Sequence, residues 1–65
     1  MRIKDMKQGD FFTLKDYGEY PDESKVYIRG EYNKSLKKYE ICKYTDMNAF
    51  RYVKGDKEVI TGFTF

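Results

Sequence analysis

The chain has 65 residues, a formal net charge of +2 and no histidine, with 40% hydrophobic, 37% charged and 18% aromatic residues. That length makes one domain, which hides only about 60% of the surface its unfolded chain exposes. Twelve Tyr and Phe side chains compensate, because each buried ring removes roughly 150–250 Å² from water. One cysteine, Cys42, rules out an intrachain disulfide and fits a reducing cytoplasm. No apolar run suggests a signal peptide or approaches the roughly 18 residues of a membrane-spanning helix, so a soluble cytoplasmic protein with no membrane partner is expected.

In chain order, Lys7-Gln8-Gly9-Asp10 reads as a turn, and residues 11–14 after it are rich in strand formers. Residues 15–25 hold Gly18, Pro21, two Asp and two Glu without a sustained period, which predicts a long acidic loop anchored by Tyr17 and Tyr20. Residues 26–32 alternate with period two: Val26, Ile28 and Tyr32 on one face, Tyr27, Arg29 and Glu31 on the other. This predicts a half-buried strand with Ile28 in the core beside Val26. Asn33 to Lys37 suits a hairpin connection, and residues 38–44 return as a third strand, with Tyr39 and Ile41 on one face and Cys42, Tyr44 and Glu40 on the other.

Thr45-Asp46-Met47-Asn48 is the next turn, followed by a strand over 49–54 in which Phe50 and Tyr52 oppose Arg51 and Val53. Gly55-Asp56 predicts a tight hairpin with Gly55 at positive φ. A last strand over 58–65 puts Val59, Thr61, Phe63 and Phe65 on one face, with Gly62 relieving a bend or bulge. The expected fold is all-β and mainly antiparallel: a small five-stranded SH3-like barrel, with an oligonucleotide-binding barrel as its rival. The alternative is an open, strongly curved sheet with residues 3–8 as one helical turn.

Chemistry is sparse. Without histidine the chain lacks the usual general base near neutral pH and the commonest metal ligand. A single Cys42 excludes a CxxC zinc site. Asp22, Glu23, Asp46 and Asp56 all fall in loops and turns, where short acidic side chains bond to nearby amides. No phosphate-cradling glycine motif occurs. No catalytic residue, metal site or cofactor is expected, and an enzyme is the least favoured reading.

Charge is distributed unevenly. Residues 1–24 carry four basic and six acidic side chains, giving −2, and residues 25–65 carry nine basic and five acidic, giving +4. The basic excess on the β-rich part points to an anionic partner, although a solvated charged surface explains the same asymmetry. Tyr27 and Arg29, with Lys43, Arg51 and Lys54 on later strands, make a candidate aromatic-basic face of the kind that binds nucleic acid. Tyr17 and Tyr20 in the acidic loop make a candidate contact surface for a protein partner. The near-neutral total favours a protein-interaction module, with nucleic-acid binding as the alternative, in a monomer or small homo-oligomer.

The run Val26 to Tyr44, VYIRGEYNKSLKKYEICKY, followed by Asp46, Asn48, Lys54-Gly55-Asp56, Val59 and Phe63-Thr64-Phe65, resembles short uncharacterised proteins of bacterial prophages and mobile elements. The resemblance covers residues 26–65. It implies a compact β domain in a mobile-element setting and transfers no functional residue.

Overall fold

A computed structural model describes residues 1–64. Four strands, β1 (Phe11–Thr13), β2 (Val26–Asn33), β3 (Lys38–Lys43) and β4 (Phe50–Val53), form one antiparallel sheet in chain order, β1-β2-β3-β4. No α-helix occurs among the described residues; the turns at Ile3–Asp5 and Glu23–Lys25 are 3₁₀. The second of these lies within the acidic loop, which otherwise has no regular structure, as its lack of period predicts.

The expected fifth strand is reduced to two isolated bridges, Arg2 with Glu58 and Thr13 with Ile60. Thr13 and Ile60 exchange both backbone bonds, N to O at 3.0 and 2.9 Å, so the segment covers the outer edge of β1. It goes no further as a strand because Gly62 takes φ +84°, a left-handed conformation that interrupts an extended chain. Phe65, which was assigned to that strand, lies outside the described residues. β4 pairs only with β3 among the described strands, and the sheet is open along a seam between β4 and the C-terminal segment.

One face of the sheet carries the core. Ile3, Met6, Phe12, Ile41 and Val59 are buried together, with Leu14, Tyr27, Tyr39 and Val53 packed against them. The N-terminal turn closes this core from one end: Ile3 and Lys4 donate backbone bonds to Lys57 and Gly55, and Val59 donates to Met1. The period-two reading of β2 is corrected at this point. Tyr27 pairs with Phe12, and Arg29 pairs with Ile41, so the core face is that of Tyr27 and Arg29, not that of Ile28. Val26 is buried nonetheless, paired with buried Thr13 on the opposite side, whereas Ile28 is only half-buried.

A bulge then changes the pattern. Between Arg29 and Tyr32 three steps of β2 face two steps of β3, from Ile41 to Tyr39. The extra residue moves Tyr32 onto the face of Tyr27 and Arg29, where its ring lies 4.8 Å from Tyr39. Gly30 permits the bulge because a Cβ there would lie 3.1 Å from the Glu40 carbonyl oxygen. Gly55 is also small for a reason of space: its φ is not positive, contrary to the hairpin expectation, and a Cβ there would sit 2.9 Å from the Tyr39 ring.

Candidate functional site: the free edge of β4

β4 runs Phe50-Arg51-Tyr52-Val53 along the open seam, directed by its antiparallel register with β3. Alternation sends Arg51 and Val53 to the core-side face and Phe50 and Tyr52 to the outer face. With no strand beyond it among the described residues, β4 leaves three of these side chains exposed. Phe50 is 53% and Tyr52 37% exposed. Their rings meet edge to face, with centroids 6.2 Å apart.

Two depressions meet at this strand. The larger, about 420 Å³, is lined by Leu14, Lys38, Tyr52, Val53 and the charged Arg51, Lys54, Asp56 and Lys57. Four cations thus face one carboxylate, whereas the chain as a whole has 13 basic and 11 acidic side chains. The smaller, about 200 Å³, is lined by Tyr27, Lys43, Ala49, Phe50 and Arg51. Arg51 belongs to both and joins them into one strip.

The strip unites four of the residues singled out from the sequence. Tyr27, Lys43 and Arg51 share the smaller depression, and Arg51 and Lys54 share the larger. Tyr27 does not present a free ring, however. It is half-buried, stacked on Phe12 with centroids 5.7 Å apart, and covered by the Arg51 guanidinium 5.7 Å from its centroid. Arg29 lies elsewhere, half-buried with its guanidinium carbon 4.4 Å from the Tyr39 centroid. Its backbone N–H donates to Asp10 O. Neither residue is an open contact surface.

Phe50, Tyr52, Lys38 and Lys57 were missed. The sequence signal for the aromatic pair was present in their alternation with Arg51; what was lacking was the knowledge that β4 is an edge. Lys38 and Lys57 are distant in sequence and meet only because the β3–β4 hairpin and the following turn bring both to the same end of the strand.

The acidic loop is separate from this strip. Tyr20 is 74% and Tyr17 42% exposed, and Lys25 Nζ lies 5.8 Å from the Tyr17 ring centroid. Asp16 accepts from the Gly18 N–H, and Asp22 from the Ser24 hydroxyl. Glu19 O accepts a backbone bond from Thr64 N–H at 2.7 Å, tying the loop to the C-terminal segment. The exposure of Tyr20 shows that its side chain is not packed into the domain.

Cys42 is half-buried on the outer face, opposite Ile28 and Phe50 in the strand register. Its Sγ lies 3.9 Å from Met47 Sδ. Desolvation first, and the charge of Glu40 second, push the thiol pKa above its ordinary value, the reverse of what an activated nucleophile needs. No group of three or more Cys, Asp or Glu side chains among the described residues is arranged to hold a metal ion, and no described helix is long and apolar enough to cross a membrane. Comparison of the chain with protein-family models, curated proteins and solved structures finds no match.

Proposed function

We propose that this protein is a non-catalytic binding module that holds single-stranded nucleic acid along the free edge of β4. The observation that carries the reading is the joining of a basic groove and a partly aromatic depression through Arg51. Phosphates are met by Arg51, Lys54, Lys57, Lys38 and Lys43, and bases by Phe50 and Tyr52. Cationic grooves that track a backbone and rings that stack on bases are the two components of single-strand binding. A duplex hides its base faces, so an unpaired strand is the fitting ligand. In this reading the fold is an SH3-like barrel opened at its seam, the pairing of Ile60 with Thr13 being the remnant of its fifth strand. A cytoplasmic setting follows from the single Cys42, and a mobile-element setting from the resemblance of residues 26–65.

Fluorescence anisotropy with labelled single-stranded DNA and RNA of mixed sequence tests this. Affinity is expected to fall steeply between about 50 and 200 mM salt, and Arg51→Ala to flatten the log–log slope by about 0.7. Absence of binding at the lower salt overturns the reading.

A second reading, contact with a basic protein surface through the acidic loop, is favoured by the exposure of Tyr20 among Asp16, Glu19, Asp22 and Glu23. Acidic rims steer basic partners, and a tyrosine anchor contributes about 2 kcal/mol or more where it is a hot spot. Tyr20→Ala is then expected to abolish capture of a partner while leaving the melting midpoint unchanged. Capture that survives the substitution counts against the loop.

A further inference from the structure

The aromatic pair on β4 constrains which strands fit. The Phe50 and Tyr52 ring centroids are 6.2 Å apart and their planes stand at 85°. A base that stacks on a side-chain ring lies nearly parallel to it. Neighbouring bases seated on these two rings are therefore turned almost at right angles to each other. Their separation also exceeds the rise of about 3.4 Å per nucleotide of a stacked strand. A strand bound here has to give up base-on-base stacking at this step.

We propose that the β4 edge selects pyrimidine-rich single strands over purine-rich ones. The proposal rests on the nucleic-acid reading above and adds the class of ligand to it. Purine runs stack strongly on themselves and stay stiff, while pyrimidine runs unstack readily and bend. Sequence preference in single-strand binders arises from this difference in stacking strength and backbone flexibility, rather than from base-edge hydrogen bonds. Phosphate contacts do not contribute to the choice, since strands of equal length carry equal charge and release counterions alike.

The experiment compares fluorescein-labelled oligo(dT) and oligo(dA), each about 12 nucleotides long, by anisotropy at one low salt concentration. Oligo(dT) is expected to bind about fivefold or more tightly, a modest preference of the size that stacking differences produce. Phe50→Ala is expected to weaken oligo(dT) more than oligo(dA) and so collapse the ratio towards one. Phe50→Tyr, which keeps a ring, is expected to preserve it. Both positions on the outer face are exposed, and a thermal melt of each variant checks that it is folded. Equal binding of the two strands by the unaltered protein, or tighter binding of oligo(dA), overturns the pyrimidine preference and leaves the nucleic-acid reading standing. A ratio unchanged in folded Phe50→Ala overturns the role of the ring pair. Failure to bind either strand overturns the preference, and failure to bind mixed-sequence RNA as well overturns the nucleic-acid reading with it.

Discussion

The guanidinium carbon of Arg29 lies 4.4 Å from the centroid of the Tyr39 ring across the β2–β3 pair. Its Nε is buried and has no hydrogen-bond partner among the described residues. Such a cation is held by the π face and by packing of its stem. It belongs to the scaffold beneath the bulge.

Arg29→Ala is therefore expected to lower stability without altering the salt dependence of ligand binding. A cation–π contact contributes about 0.5–2 kcal/mol, and a loss of about 1 kcal/mol moves the midpoint of so small a domain by roughly 4–8 °C. Arg29→Lys is expected to recover only part, since an ammonium lacks the planar stacking of a guanidinium. Thermal melts with parallel anisotropy titrations check this; a flattened salt slope with unchanged melting would make Arg29 a phosphate contact instead.

Ile41 and Ile28 separate the two faces of the sheet. Ile41 is fully buried in the core, whereas Ile28 is half-buried on the outer face between Phe11 and Cys42 in the strand register. Ile41→Ala is expected to cost about 2–5 kcal/mol, enough to unfold most of the population, and Ile28→Ala clearly less. Equal shifts in denaturant midpoint would contradict the assignment of the core face.

Gly55 meets its neighbours too closely for any side chain. An added Cβ would lie 2.9 Å from Tyr39 Cε1 and 3.1 Å from Lys4 Cβ, while the Gly55 carbonyl accepts the Lys4 N–H at 3.0 Å. The turn cannot move away without breaking that bond. Gly55→Ala is expected to destabilise by about 1–3 kcal/mol through overpacking. A calorimetric melt identical to that of the parent chain would show that the Tyr39 ring gives way freely.

Cys42 offers a pH test. Because its thiol pKa is raised by desolvation and by Glu40, less thiolate is present at a given pH than on an unstructured peptide. Alkylation by iodoacetamide at about pH 8 is expected to be slower than for a free thiol, whose pKa is about 8.5, and to rise through a higher midpoint. Glu40→Gln removes the second cause alone and is expected to move the midpoint part of the way back. A rate equal to that of the free thiol would overturn the assignment.

The strands and turns of the β2–β3–β4 meander were legible in the sequence because their signals are local. Val26 to Tyr32 and Lys38 to Tyr44 combine strand formers with bounding turn residues, and the structure changes their limits by one residue at most. The end of the chain was less legible. Residues 58–65 also look like a strand, but positive φ at Gly62 and the sharing of residues 58–60 between Arg2 and Thr13 leave only bridges. For the candidate site, the structure brings Lys43 and Arg51 into one depression and Arg51 and Lys54 into the other. Tyr27 was misassigned as a free ring because period two sorts residues into two sets without saying which set faces inward.

The sequence by itself determined an antiparallel β chain with its β2–β3 and β3–β4 hairpins, a basic C-terminal part and an acidic loop, since these depend on alternation, turn chemistry and charge count. Only the tertiary structure decided that Tyr27 and Arg29 face the core, that the Gly30 bulge carries Tyr32 over to them, and that β4 is an edge. Those outcomes depend on which strand lies beside which. Phe50 and Tyr52 are exposed because no strand among the described residues pairs beyond β4 and the core lies on the other face, and a local pattern of residues contains neither fact.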